Sequence, residues 1–228
     1  MMRRNIALIP AAGVGARFGA GKPKQYVEIN GKTVLQHTIE IFEQHSRIDL
    51  IAVILSPEDS VFQTALSEKV RVFRAGGASR AETVRNGVST LLEQGLAEAQ
   101  DNILVHDAAR CCLPAEALAR LLDEAGENDE GGILAIPVAD TLKRADGSHH
   151  IDETVARAGL WQAQTPQLFQ TALLNRALSV DDLSEITDEA SAVEKLGIRP
   201  RLVQGDTRNL KLTLPQDEYI VRLLLKAV

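Results

Sequence analysis

The sequence predicts an α/β protein built on an open, mostly parallel sheet with helices on both faces. Three observations carry this. Short β-branched apolar runs alternate with longer segments of helical periodicity along most of the chain. Several of those runs are continuous rather than alternating, as in strands buried on both faces. A loop of small residues follows the first run directly, at the kind of place where open α/β sheets bind ligands.

Asn5–Pro10 reads as the first strand, because its apolar run is cut off at Pro10 and Gly13, too short for a signal peptide despite the flanking Arg3 and Arg4. Periodicity then gives a helix over Thr33–Gln44 and an apolar run gives a strand over Leu50–Leu55. A helix is expected over Glu58–Leu66, since Ser56-Pro57-Glu58 supplies an N-cap, a proline at the first helical position and a first-turn acid. Strand Val70–Phe73, helix Glu82–Glu93, strand Asn102–His106, helix Pro114–Ala125 and strand Gly132–Pro137 continue the alternation. It breaks from Ala139 to Gln164, a polar stretch centred on the turn pair Asp146-Gly147. This region is too polar to own a core, so it is expected to be a projecting hairpin, either a solvated excursion or an arm that pairs with a second subunit. Helices over Phe169–Leu178 and Thr187–Leu196, a strand at Arg201–Val203 and a last helix over Pro215–Lys226 complete the chain.

The 228 residues suit one domain, residues 1–228, with the arm at about 139–164. With 45% hydrophobic and 25% charged residues, disorder, collagen and a disulfide scaffold are excluded. A net charge of −6 argues against nonspecific nucleic-acid binding, so any anion site must be local. Cys111 and Cys112 are adjacent, which offers neither a loop-closing disulfide nor zinc-ligand spacing and points to a reducing compartment. No apolar run reaches the ~20 residues of a membrane span. A cytoplasmic protein with no membrane partner is expected.

Three clusters carry chemistry. After the first strand come Pro10-Ala11-Ala12-Gly13-Val14-Gly15-Ala16-Arg17-Phe18-Gly19 and Lys22-Pro23-Lys24-Gln25. Small residues let backbone N–H groups approach a phosphate or a base, and Arg17, Lys22 and Lys24 add positive charge with no carboxylate before Glu28. The pattern is neither a Walker A loop nor a dinucleotide fingerprint, because Gly19 falls one place late. Asp107, just past the fourth strand, stands where a carboxylate could hold Mg²⁺ beside a phosphate chain or simply cap a turn. His106, one residue back, reads as structural. Gly76-Gly77-Ala78-Ser79-Arg80 leads into a helix N-terminus that could read a nucleobase or serve as a cap alone. Lys211 sits in a late strand-like run and, by itself, reads as a surface lysine.

Taken together, Pro10-Ala11-Ala12-Gly13-x-Gly-x-Arg17, Lys22-Pro23-Lys24-Gln25-Tyr26, Gly76-Gly77…Arg80, Val105-His106-Asp107-Ala108-Ala109-Arg110, Leu160-Trp161…Gln164-Thr165-Pro166-Gln167 and Thr187-Asp188-Glu189-Ala190-Ser191-Ala192 resemble the 2-C-methyl-D-erythritol 4-phosphate cytidylyltransferase family, in order over nearly the whole chain. The resemblance implies a Rossmann-like nucleotidyltransferase sheet. It also implies transfer of a cytidylyl group from CTP to 2-C-methyl-D-erythritol 4-phosphate, with release of pyrophosphate, in non-mevalonate isoprenoid synthesis. Arg17 and Lys24 would stabilise the transition state, and Arg157 and Lys211 would position the acceptor phosphate. Ala11, Ala12, Gly13, Gly77, Arg80, Thr83, Asp107 and Ala108 would line the CTP site, with Asp107 at Mg²⁺ or another divalent cation. Arg110, Thr141, Arg157, Thr165, Thr187 and Lys211 would form the acceptor pocket, part of it reached from the second subunit of a homodimer through the arm. Two positions depart from the family pattern: Ala78 replaces an Asp after the glycines, and Cys111 replaces a Pro.

Other readings remain open at this point. A pentitol phosphate such as ribitol 5-phosphate is an alternative acceptor, and a noncatalytic nucleotide-sensing module would bind without turnover. A Rossmann-type oxidoreductase is disfavoured, because Leu55-Ser56-Pro57 stands where an acidic residue would end the second strand.

Overall fold

The computed structural model describes residues 3–13, 23–64 and 67–226. Strand β1 (Asn5–Pro10) lies inside the central sheet, with Ile6 and Leu8 facing one layer and Ala7 and Ile9 the other, all fully buried. This two-sided burial is why the run is apolar throughout. The two-residue strands β2 (Glu28–Ile29) and β3 (Lys32–Thr33) form a small hairpin before helix α1 (Val34–Gln44). Thr33 caps α1, its hydroxyl accepting the Gln36 N–H.

β1 pairs in parallel with β4 (Leu50–Ile54) and β6 (Asn102–Val105), and β4 in turn with β5 (Val70–Phe73). On the other side of β6 lies β10 (Trp161–Gln170), antiparallel to both β6 and β7 (Gly132–Pro137), and β11 (Arg201–Gln204) runs parallel to β7. Among the described residues the sheet therefore has seven strands in the order β11-β7-β10-β6-β1-β4-β5. Helices α1 and α3 (Ala115–Ala125) cover one face. Helices α2 (Arg80–Glu93), α4 (Thr171–Leu178) and α5 (Glu189–Glu194) cover the other. The spacing of Leu118, Leu121, Leu122 and Ala125 puts one stripe of α3 against the sheet, where each buried leucine is worth ~1.5–3 kcal/mol. The last helix, α6 (Asp217–Leu224), packs Val221 against Val27, Val34 and Leu212 in a smaller cluster. Among the described residues no helix is long and apolar enough to cross a membrane.

The polar excursion is a separate hairpin of β8 (Leu142–Ala145) and β9 (Ile151–Val155), and among the described residues it is hydrogen-bonded to no strand of the central sheet. Its turn is organised by Asp146, whose Oδ1 accepts the N–H groups of Ser148 and His150 at 2.8 and 2.9 Å. The Val138 N–H donates to Leu160 O at 3.0 Å and closes its base.

Four expectations need correction. The helix over Glu58–Leu66 does not form across the described residues 58–64. Asp59 diverts the chain there, its Oδ1 taking the N–H groups of Val61 and Phe62 while its Oδ2 accepts the Tyr26 hydroxyl. The polar segment ends sooner than Gln164, since Trp161 already pairs with Pro137 in the central sheet. Gln164 and Gln167 hide that strand because they are buried glutamines serving as hydrogen-bond struts. Lys211 lies in irregular chain rather than a strand. The helix expected over Thr187–Leu196 is trimmed to Glu189–Glu194 by the Asp188 cap.

Candidate active site

A cavity of about 610 Å³ opens at the carboxyl ends of β1, β4, β5 and β6. This is the sheet's topological switch point, because the chain moves outward from β1 to β4 and later returns to β6 on the opposite side. Pro10 to Gly13 form one wall, Gly77 to Arg80 with Thr83 the facing one, and Asp107 to Ala109 the floor. The two walls meet closely at Gly76, where a Cβ would overlap the Ala12 Cβ and the Leu55 carbonyl. Gln25 fixes the first wall by donating through Nε2 to the carbonyls of Ala11 and Gly13, both at 2.9 Å. On the second wall the Thr83 hydroxyl donates to Ser79 O and accepts the Gly77 N–H, which shapes the turn at the start of α2.

Asp107 gathers the cations. Its Oδ1 accepts from Arg80 Nε at 2.8 Å, its Oδ2 lies 2.7 Å from Lys211 Nζ, and Arg110 Nε stands 3.6 Å from Oδ2. Burial alone would raise its pKa, but Arg80, Lys211 and Arg110 together outweigh it and hold the carboxyl well below the usual range. Arg80 also grips Glu189 bidentately, Nη1 to Oε1 at 2.7 Å and Nη2 to Oε2 at 3.0 Å. Burial pushes Glu189 upward against the pull of Arg80, whereas Arg80 itself is held protonated by Glu189 and Asp107 despite its own burial. We take the pair as ionised, because both guanidinium nitrogens donate and both Glu189 oxygens must therefore accept. Lys24 enters from a single 3-10 turn (Lys24–Tyr26), its Nζ donating to Leu212 O at 3.2 Å. Four cations thus meet two carboxylates in or beside the cavity of an acidic chain, which makes it a local anion site.

Beneath the floor, His106 Nε2 lies 3.0 Å from Arg110 O, a group that can only accept, so Nε2 carries the proton. Nδ1 then accepts from the Thr165 hydroxyl at 3.0 Å, and that hydroxyl accepts the Asp107 N–H at 3.1 Å. Burial pushes the His106 pKa down to about 4, so the ring is a neutral strut rather than a base.

A model of the 2-C-methyl-D-erythritol 4-phosphate cytidylyltransferase family matches residues 5–227. The chain belongs to that family. A relative of this name from Neisseria meningitidis serogroup C is 70% identical over 231 residues, covering 100% of both chains. Another from Chromobacterium violaceum is 49% identical over 225 residues, covering 97% of this chain and 98% of its own. A crystal structure of a 4-diphosphocytidyl-2C-methyl-D-erythritol synthase matches with a TM-score of 0.89 at 64% identity, over 99% of this chain and 100% of that one. The Thermus thermophilus 2-C-methyl-D-erythritol 4-phosphate cytidylyltransferase gives 0.79 at 28% identity, over 99% and 100%.

Of the residues the family resemblance selects, Ala11, Ala12, Gly13, Lys24, Gly77, Arg80, Thr83, Asp107, Ala108 and Lys211 line the cavity. Arg17 lies outside the described residues. Arg110 and Thr165 stand behind the floor instead of lining it, Arg110 donating to Asn209 O at 2.6 Å and Thr165 committed to His106 and Asp107. Thr141 and Arg157 are exposed on or beside the hairpin, and Thr187 is exposed before α5; none of the three lines the cavity of this single chain. At the first departure from the family pattern, the Ala78 N–H donates to Glu82 Oε2 at 2.8 Å, so a carboxylate reaches this turn from position 82. At the second, Cys111 is a buried free thiol. Residue-by-residue reasoning missed Glu189, Gln167 and Asn209. The capping box of Asp188 and Ser191 starts α5 in the structure, but nothing local in the sequence shows that Glu189 points inward.

Proposed function

We infer that the protein transfers a cytidylyl group from CTP to 2-C-methyl-D-erythritol 4-phosphate, giving 4-diphosphocytidyl-2-C-methyl-D-erythritol and pyrophosphate, in isoprenoid precursor synthesis. The observation that carries this reading is the cavity itself, small-walled on two sides and bordered by Lys24 and Lys211. The backbone of Ala11–Gly13 and Gly77–Ser79 receives the base, and the triphosphate lies toward Lys24. An oxygen of the acceptor phosphate attacks the α-phosphorus, the bond to the β-phosphate oxygen breaks, and pyrophosphate leaves with that electron pair. The nucleophile is already anionic, so no proton has to move and repulsion between anions is the obstacle. Lys24 and Lys211 lower that repulsion by presenting fixed charge where negative charge accumulates, and the family resemblance adds Arg17 to them.

A divalent cation, expected as Mg²⁺, fits this donor set only as a companion of the triphosphate. Among the described residues no cluster of three or more metal-ligating side chains exists, and Asp107 is the one carboxylate lining the cavity. One carboxylate plus substrate phosphates is an ordinary Mg²⁺ environment, and when bound the ion would neutralise phosphate charge. Arg157 and Thr141 lie with the hairpin, away from the cavity lining. The reading accommodates this if two chains pair through the hairpin and each completes the other's acceptor site, in a cytoplasmic homodimer. The test is pyrophosphate release with CTP and Mg²⁺, comparing methylerythritol phosphate with ribitol 5-phosphate and a hexose 1-phosphate, and CTP with ATP, GTP and UTP. Turnover confined to CTP and methylerythritol phosphate supports the reading; turnover with another acceptor overturns the substrate assignment.

A further inference from the structure

Glu189 is 1% exposed, lies 109 residues from its partner in sequence, and spends both oxygens on the fork of Arg80. Its place is built from outside. Gln167 on β10 accepts the Ala190 N–H through Oε1 at 2.8 Å and donates through Nε2 to Asp188 Oδ2 at 2.8 Å. The residues on either side of Glu189 are thereby pinned to the central sheet. With its fork occupied, Arg80 offers Asp107 only Nε, and the other Asp107 oxygen is left to Lys211. An Arg80 without this partner would turn the fork itself on Asp107, since bidentate pairing with a carboxylate is the favoured geometry.

We propose that Glu189 is a positioning residue of the nucleotidyl-transfer site, holding Arg80 so that Asp107 keeps one oxygen directed at Lys211 and the cavity. This rests on the function inferred above. Glu189 touches no substrate and acts through Arg80. Removing its charge leaves the site more positive, so nucleotide binding and turnover respond in opposite directions, which a merely structural role would not produce.

The test is E189Q, with kcat measured on CTP and methylerythritol phosphate and CTP binding measured separately by calorimetry. The expected result is a fall in kcat of at least ~10-fold, since a misplacement of about 1 Å can cost ~10². CTP binds the variant at least as tightly as the wild type. In the R80Q background, E189Q produces no further loss, because the two residues act as one unit. A kcat within about twofold of wild type, parallel loss of binding and turnover, or full additivity with R80Q would each overturn the proposal. If E189Q does not fold, E189D keeps the charge but falls one methylene short of the fork, so kcat again falls at least ~10-fold while CTP affinity stays within about twofold of wild type, and a parallel loss of both would overturn the proposal. An inactive wild type would contradict the inferred function, whereas weaker CTP binding by E189Q than by an active wild type would contradict the role of Glu189 alone.

Discussion

Lys24 is held at the cavity by a short turn and a hydrogen bond to Leu212 O, so its ammonium is in place before substrate arrives. Preorganised charge of this kind can be worth ~10²–10³ in rate, and Lys24→Ala should lose about that much kcat with an unchanged circular dichroism spectrum. Near-wild-type kcat would remove Lys24 from the mechanism. His106 gives a prediction in pH. Its folded pKa is about 4, below the ordinary 6.5, so between those values the unfolded state binds more protons than the native one. Its contribution to stability is complete above pH 6.5 and is lost as pH falls toward 4, amounting to about 3 kcal/mol over the window. Asp107 contributes in a separate, lower window, because its folded pKa is depressed: its stabilisation is present above its unfolded value of 3.8 and is lost as pH falls below that. Urea unfolding at pH 7 and pH 4.5 should therefore show a smaller pH effect in His106→Gln than in the wild type. An equal effect would mean that His106 titrates normally. At this scale the sequence was informative about small residues and cations after strand ends, and silent about direction. Arg110 and Thr165 carry the right chemistry in the right motif, yet Arg110 turns Nη1 to Asn209 O and the Thr165 hydroxyl is committed to His106. Only the folded chain shows which way a side chain faces.

Among the elements, strands rich in apolar and β-branched residues were legible to within a residue: β1, β5 and β7 have the expected bounds. Strand β10 was not, because buried Gln164, Thr165 and Gln167 interrupt its apolar pattern. Those residues are buried to bind other polar groups, which a periodicity argument reads as exposure. The helix expected after Pro57 fails for a related reason, since the Asp59 carboxylate takes backbone N–H groups into a turn. Gln167 joins β10 to α5, and Gln167→Ala leaves the Ala190 N–H without its buried acceptor. The expected cost is ~1–3 kcal/mol, read as a lowered Tm and urea midpoint. An unchanged Tm would mean that α5 is held by its apolar contacts alone.

At the scale of the whole molecule, the topology explains why one cavity collects residues from positions 10 to 213. Parallel strands β1, β4, β5 and β6 all point their carboxyl ends the same way, so every loop after them arrives at one rim. The hairpin forms a sheet of its own and none of its residues lines the cavity, which sets the prediction for assembly. With the pairing proposed above, mixing inactive Arg157→Ala chains with inactive Lys24→Ala chains should recover activity, since each mixed dimer would contain one site with both residues intact. No recovery despite demonstrated subunit exchange would place Arg157 outside a shared site.

The proposed reaction is direct attack of an acceptor phosphate on the α-phosphorus of CTP. Turnover of CTP labelled at the α-phosphorus, with methylerythritol phosphate and Mg²⁺ present, tests it most directly. The label is expected wholly in the diphosphate-linked organic product, with none in the released pyrophosphate. Label released as CMP, or found in pyrophosphate, would contradict it.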